Sequence, residues 1–550
     1  MKFKLITLLL TVAIVLPAAS ANSDGTPSSS PNIVIILADD LGIGDVGCYG
    51  GKRCLIDTPN IDALAAGGLR FTDAHPSASV CGPTRRALMT GRYPWRFGAT
   101  INNGPWGFVG PRPNTENHTL GKLLKRSGYQ TGYVGKWHLG TTMTTLDGKT
   151  QGLANVDYSK PVKYGAKQFG FDYSFILPGS LDMFPYAFLR NNEWQGEITA
   201  QKGWSAFNRV GPAEKDFQDH EVLETFYSEA ESFIAKQKKT KPFFLFLALT
   251  APHTPTSPGV GWEGKSKLGV YGDFVMQVDH SIARVRAALK AKGLDKGTLI
   301  LFSSDHGPGP YAGNILKATP GQIKDMEKKG HYPSGPHRGY KFSVYEGGLR
   351  VPLIAHWPGV IPKGSTSDAL VGLNDFMATF GEIANTKLAK DEAPDSISFA
   401  KLLRDPKAKG TRQNLVMQSI GPFVIRDGNW KLCLCAGSGS GARSVNALGN
   451  VPTPTDAWTA ALDQFTGKPI EADLLEPPFV QLFNVANDPH EDNNLATKHP
   501  KRVKQMVALL QKQVATGRST PGPDLKNDKN VIIVNAKDRR HPEILRERMK

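Results

Sequence analysis

Residues 32–40 read NIVIILADD. From Ile33 to Leu37 the run is wholly apolar, and it ends in Asp39 and Asp40. A strand with one wet face would alternate polar and apolar residues. An unbroken run suits a strand buried on both faces of a mainly parallel sheet. The pattern recurs in YQTGYVGKWHLG (129–140), PFFLFLALTAPH (242–253) and TLILFSSDHG (298–307), and each run ends in chemically capable residues. Helical patterns lie between them, in TPNIDALAAGG (58–68), TLGKLLKRSG (119–128), DHEVLETFYSEAESFIAKQ (219–237) and FVMQVDHSIARVRAALKAKG (274–293). Strands alternating with helices predict an α/β domain whose ligands bind beyond the carboxyl ends of the strands.

Past about residue 410 the texture changes. FVIRDGNWKLCLC (423–435) reads as a hairpin, VQLFN (480–484) as a further strand, and HPKRVKQMVALLQKQVATG (499–517) as a helix ending at Gly517. The expected organisation is a large α/β domain over 32–411, with a mixed, mainly parallel sheet sandwiched by helices. A smaller α+β domain with an antiparallel sheet follows over 412–519, and a charged tail over 520–550.

The N-terminus bears on compartment. Lys2 and Lys4 precede an apolar run from Leu5 to Leu16, then Ala19-Ser20-Ala21. This is the layout of a secretory signal cut near Ala21, with a flexible lead-in over 22–31, and the run is short for a membrane span. The expectation is a secreted or periplasmic protein. Sixty-six Lys and Arg against 50 Asp and Glu leave a charge of +16, which favours anionic ligands. No dense basic run with interleaved aromatics suggests nucleic acid. Export permits disulfides, and Cys48 with Cys54, or Cys433 with Cys435, could pair. Five cysteines are odd in number, which leaves Cys81 as the candidate for another role.

Asp39 and Asp40 with Asp305 and His306 place three carboxylates and an imidazole at strand ends, a mostly oxygen set suited to Ca²⁺ or Mg²⁺. Gly42, Gly44 and Gly47 spell the dinucleotide fingerprint. The turn-rich CYGGKRCLIDTPN that follows cannot supply its helix, so nicotinamide and flavin binding are excluded.

The stretch SVCGPTRRALMTGRYP (79–94) resembles the signature of the type I, formylglycine-dependent sulfatases of the alkaline phosphatase superfamily. Cys81-Gly82-Pro83-Thr84-Arg85 stands where that family has C-x-P-S-R, and Thr90-Gly91-Arg92 follows. Thr84 replaces the usual serine and keeps a hydroxyl. The metal aspartates, GKWHLG, APHTP, SSDHG and EGGLRVP segments are similar to family segments too, with His306 where many members carry asparagine.

The resemblance implies a sulfatase-like fold and a Cys81 oxidised to formylglycine by a formylglycine-generating enzyme. It implies one Ca²⁺, or alternatively Mg²⁺, held by Asp39, Asp40, Asp305, His306 and the residue 81 hydroxyl. One hydroxyl of the hydrated aldehyde attacks sulfur, and deprotonation of the other releases sulfate. Arg85 steadies the hydrate, Lys136 contacts hydrate and sulfate, and His138 is the base of the elimination. His253 and Lys341 bind sulfate and protonate or stabilise the leaving oxygen. Glu346 and Arg350 read as a structural ion pair.

Export and positive charge suit a sulfated polysaccharide or oligosaccharide as substrate. The long basic loop 314–341 offers His331, His337 and Arg338 to read sugar carboxylates or neighbouring sulfates. Trp194 and Trp204 suit core packing better than sugar stacking. The competing readings are a phosphomonoester or phosphonate hydrolase of the same superfamily, and a non-catalytic sulfated-glycan binding protein.

Overall fold

The four apolar runs are neighbouring strands of one sheet. In a computed structural model, which describes residues 30–97, 108–112, 117–203, 208–313, 321–419, 421–435, 437–439 and 480–533, Thr298–Ser304, Asn32–Asp39, Phe243–Pro252, Gln130–Lys136 and Tyr173–Leu177 lie side by side, all parallel. Shorter strands extend the sheet to ten, with antiparallel pairings toward both edges. The expected signal segment, Trp204, residues 314–320 and the tail beyond 533 lie outside the described residues.

Side-chain alternation explains the sandwich. Val34, Ile36 and Ala38 join one buried cluster with the helices Pro59–Ala66, Val222–Ala235 and Gly269–Ala291. Ile33, Ile35 and Leu37 point the other way, into a second cluster with Leu120–Arg126 and Phe376–Ile383. All five side chains of the run are buried, each worth about 1.5–3 kcal/mol relative to exposure. Val222–Ala235 turns Leu223, Phe226, Tyr227, Ala230, Phe233 and Ile234 inward at three- and four-residue spacing.

Gly135 shows how tightly the central strands are drawn together. Its φ is 116°, and a Cβ there would stand 1.8 Å from the carbonyl oxygen of Ala248 on the adjacent strand. Gly135→Ala should therefore lower stability by about 3 kcal/mol through overpacking and backbone strain. A urea or thermal midpoint equal to that of the parent would refute this account.

The C-terminal sheet is antiparallel, in the order Asn414–Gln418, Phe423–Asp427, Trp430–Leu434, Val480–Asn484, with the helix Pro500–Ala515 packed on it. Its core includes Tyr93, Trp95, Val344 and Leu349 of the large domain. A buried charge network joins the two parts. Glu346 pairs with Lys431 (2.9 Å) and Arg350 (2.6 Å), Lys431 also pairs with Glu491 (2.8 Å), and Asp73 binds Arg350 and Arg426. The expected Glu346–Arg350 pair is thus one edge of a larger assembly.

The tail folds back as far as it is described. Leu525 N donates to Thr516 O, and Asp528 pairs with Arg92 at 2.8 Å, just beyond the Cys81 helix. All five cysteines are free thiols, so neither of the two pairings that the sequence leaves open is formed. Gly42 and Gly44 serve close packing: a Cβ on either would lie about 2 Å from the carbonyl oxygens of Pro333 and Tyr332. Among the described residues, no helix is long and apolar enough to cross a membrane.

Candidate active site

Cys81 opens the helix Cys81–Thr90 at the carboxyl edge of the central strands. The extended Val80 precedes it, and Pro83 falls in the first turn, where a missing N–H costs nothing. Thr84 donates its hydroxyl to Ala78 O at 2.6 Å, clasping the turn to the incoming loop. That bond explains why a hydroxyl is retained at the position. The helix stops at Gly91, in the left-handed region (φ 61°), where a Cβ would meet that of Ala393 at 2.6 Å.

Three strand ends meet this helix. Ligand atoms of Asp39, Cys81, Asp305 and His306 all lie within 4.8 Å of one another, and all four residues are buried. Backbone bonds fix the two carboxylate tips against each other: Asp305 N donates to Ala38 O (3.1 Å) and Asp40 N to Asp305 Oδ1 (3.2 Å). Asp40 adopts a positive φ of 63°.

Cations ring the carboxylates. Lys136 Nζ donates to Asp39 Oδ2 at 2.5 Å, and Arg85 reaches Asp305 Oδ2 (3.0 Å) and Asp39 Oδ1 (3.4 Å). Lys341 Nζ donates to Asp40 Oδ1 at 2.7 Å, and His306 Nε2 lies 3.3 Å from the same oxygen. Asp40 Oδ2 accepts from the Tyr311 hydroxyl (3.1 Å) and faces His253 Nε2 at 3.7 Å. Asp40 therefore borders the four-residue cluster while binding the cations on its far side.

Burial opposes every charge here, and the partners decide the outcome. It works to raise Asp39, yet Lys136, His253, Arg85 and Lys341 hold that carboxyl well below the ordinary range. Burial prevails at Asp305, with Asp39 opposing its ionisation, and its pKa is raised. Lys341 also resists burial, chiefly through Asp40, and stays charged with its pKa well above the usual value. His138, buried beside the charges of Lys136 and Arg85, is pushed well below its usual value and is neutral. Burial raises the Cys81 thiol to about 11. An unmodified Cys81 would therefore be a weak nucleophile at neutral pH.

The donor set fits a hard divalent cation. His306 Nδ1 donates to Gly307 O at 2.9 Å, which leaves Nε2 as the lone-pair nitrogen. That Nε2 and Asp39 Oδ1 are buried with no hydrogen-bond partner among the described residues. With only the longer Arg85 contact (3.4 Å) on Asp39 Oδ1, these two buried acceptors are groups that a bound cation would satisfy.

The structure thus brings together Asp39, Asp40, Cys81, Arg85, Lys136, Lys341, His253, Asp305 and His306, with His138 beside Lys136. It does not bring in the three residues expected to read the sugar. His331 is fully buried; its Nε2 donates to Asp45 Oδ1 (2.8 Å) and its Nδ1 accepts from Leu55 N. His337 Nδ1 donates to Pro489 O, and Arg338 donates to Glu491 O while lying 4.2 Å over the Tyr345 ring. All three hold the loop to its neighbours; His331 is fully buried, while His337 and Arg338 stay half-buried. Trp194 packs against Tyr158 (5.2 Å between centroids). Tyr311 was not foreseen, since nothing in GPGPY (307–311) marks its ring for the site.

Comparison with known proteins gives the family. The family model described as "Sulfatase" matches residues 31–386. An N-acetylgalactosamine-6-O-sulfatase of Bacteroides thetaiotaomicron is 31% identical over 528 residues, covering 89% of this chain and 94% of its own. An N-acetylgalactosamine-6-sulfatase of Sus scrofa is 33% identical over 397 residues, covering 70% and 68% respectively. A structure solved for the metabolism of multiple glycosaminoglycans by Bacteroides thetaiotaomicron superposes with a TM-score of 0.72 at 28% identity, over 88% of this chain and 99% of that one. The crystal structure of Ps i-CgsB superposes with a TM-score of 0.63 at 26% identity, covering 88% and 92%. The fold is that of the sulfatases, and the chain belongs to the sulfatase family. It is an enzyme, a sulfuric ester hydrolase.

Proposed function

We propose that this sulfatase is exported and removes sulfate from a sulfated glycan, using a formylglycine made from Cys81 and a bound Ca²⁺, with Mg²⁺ as the alternative. The observation that carries the reading is the buried convergence of Asp39, Cys81, Asp305 and His306 inside a ring of cations. The relatives' names point to a 6-O-sulfated N-acetylgalactosamine unit as the first substrate to test. The signal-like N-terminus supports export, and the separate antiparallel sheet that begins at Asn414 supports reading the chain as a catalytic unit with a C-terminal support.

Formylglycine at position 81, when formed and hydrated, supplies the attacking oxygen and a second hydroxyl for sulfate release. Asp39, Asp40, Asp305 and His306 would hold the cation, which when bound would supply positive charge beside the reacting group. The chain's own residues do the rest. Arg85 braces Asp39 and Asp305, so their oxygens converge. Lys136 and Lys341 stand on opposite sides of the aspartate pair and bind sulfate oxygens, stabilising charge as it develops. His253 and Lys341, both facing Asp40, bind sulfate and protonate or stabilise the leaving oxygen. His138, neutral by burial, accepts the proton during sulfate release.

The test is a peptide mass spectrum across residue 81, on protein produced with a formylglycine-generating enzyme, paired with sulfate release from N-acetylgalactosamine 6-sulfate and its 4-sulfate isomer. Formylglycine at residue 81 and release from the 6-sulfate are expected. An unmodified Cys81 under those conditions would refute the nucleophile. Release confined to the 4-sulfate would refute the substrate position.

A further inference from the structure

Lys341 reaches Asp40 from a loop that is fastened to the turn following that aspartate. In this turn the Asp45 carboxylate is fully buried and takes three donors. Gly42 N (2.8 Å) and the Tyr271 hydroxyl (2.6 Å) bind Oδ2, and His331 Nε2 (2.8 Å) binds Oδ1. They come from the turn itself, from the helix Gly269–Ala291 and from the loop leading to Lys341. The His331 ring is also fully buried, and its Nδ1 accepts from Leu55 N at 3.2 Å. Gly44 N donates to Pro333 O at 2.8 Å, and a Cβ on Gly44 would stand 1.9 Å from Tyr332 O. Turn and loop backbones are therefore in direct contact, which the G-x-G of 42–44 permits.

From this junction to Lys341 the chain has little slack. Ser334 Oγ donates to Gly339 O (2.7 Å), which closes 334–339 on itself, and Tyr340 donates its hydroxyl to Glu327. Lys341 N then donates to Pro308 O (2.9 Å), and Phe342 N to Ser79 O (2.9 Å), two residues before Cys81. The Lys341 ammonium ends 2.7 Å from Asp40 Oδ1. A lysine side chain has many rotamers, so this contact persists only where the backbone behind each partner is held. The Asp45–His331 bond ties the two backbones together outside the site itself. Without it, the junction rests on the Gly44–Pro333 backbone bond and on packing.

We propose that His331 and Asp45 form a latch of positioning residues: their bond sets where the loop delivers Lys341, and so how that lysine meets Asp40 and a sulfate oxygen. The inference rests on the sulfatase reading given above, in which Lys341 binds sulfate. When the latch is broken, Asp45 Oδ1 is left buried without this donor, and turn and loop part to admit water. The Lys341 backbone moves with the loop. A shift of about 1 Å at the ammonium weakens its hold on sulfate on the order of tenfold.

The experiment measures KM for N-acetylgalactosamine 6-sulfate and the inhibition constant of inorganic sulfate, on formylglycine-bearing parent, His331→Asn and His331→Gln. Asparagine keeps an acceptor for Leu55 N but is too short for Asp45, whereas glutamine spans the gap and restores a donor to it. A merely structural role lowers the amount of folded enzyme, which reduces kcat and leaves both constants unmoved. The expected result is a rise of about tenfold in both constants for His331→Asn, with His331→Gln within about threefold of the parent. Unmoved constants in His331→Asn, whatever its kcat, would overturn the proposal, as would an equal rise in His331→Gln. If His331→Asn does not fold, Tyr271→Phe, which removes another donor from Asp45, should raise the sulfate constant about threefold, and no rise would overturn the latch. Where the parent accepts only 4-nitrocatechol sulfate, that ester serves for the same constants. A parent that hydrolyses neither ester would overturn the sulfatase reading itself, and the latch with it.

Discussion

Cys81→Ser, confirmed by mass to carry an unoxidised serine, is expected to complete no more than one catalytic event per molecule. The serine hydroxyl would occupy the Cys81 position at the helix start, inside the cluster with Asp39, Asp305 and His306. It would keep the surrounding charges of Lys136 and Lys341. Attack on sulfur is therefore still open to it. Release is not, because a single hydroxyl leaves no second oxygen to be deprotonated by His138 and expel sulfate. The variant should trap one sulfuryl group on residue 81, with steady-state kcat lowered by more than about 10³-fold, a barrier increase above about 4 kcal/mol. Mass spectrometry after incubation with substrate reads the trapped group directly. Turnover within tenfold of the parent would mean that the second hydroxyl is dispensable.

The chemistry was more legible in the sequence than the scaffold around it, for a physical reason. Parallel strands buried on both faces must be continuous apolar runs, so Ile33–Leu37 and its three counterparts announce themselves. Their polar ends then mark where the sheet meets solvent or ligand. Pairing between distant segments leaves no such local trace. Leu69–Phe71 and Ser365–Ser367 are three-residue strands that exist because they hydrogen-bond to each other across the chain. The contact of Arg426 with Asp73 spans 353 positions. The buried network around Glu346 was visible in sequence as a single i,i+4 pair, without Lys431 or Glu491.

The basic loop before Lys341 carries the same lesson. His331, His337 and Arg338 lie in a basic loop next to Lys341, and charge density alone suggests an anion-binding wall. At His331 the fold adds what charge density leaves out: its ring is buried and tied to Asp45, whose other oxygen accepts from the Tyr271 hydroxyl at 2.6 Å. Tyr311 was missed for the converse reason. A tyrosine in a proline- and glycine-rich turn has no periodicity to place it, and only the fold brings its hydroxyl to Asp40.

Asp39→Asn should cost more stability than any other conservative change at the site, and abolish most activity as well. Its carboxylate is fully buried between Lys136 and Arg85, themselves buried. An amide of the same shape leaves two desolvated cations short of a counter-charge. Breaking a buried pair in this way costs about 3–5 kcal/mol, and loss of a cation ligand costs at least about 100-fold in rate. The same electrostatics set a pH dependence. Burial raises the Asp39 pKa, but the surrounding cations lower it further, so the folded value lies well below the unfolded one. A carboxyl depressed on folding contributes its full stability above the unfolded pKa, about 4, and loses it as pH falls toward the folded value. Asp305 is raised on folding and has the opposite sign: its contribution falls as pH rises through the unfolded value toward the folded one. Urea midpoints between pH 3 and 7 separate the two. The parent should lose stability below about pH 4 more steeply than Asp39→Asn, and the gap between them should be widest near neutrality. Coincident midpoints at pH 7 would mean that Lys136 and Arg85 do not depend on Asp39 for their burial, and the charge balance assigned to the site would be wrong.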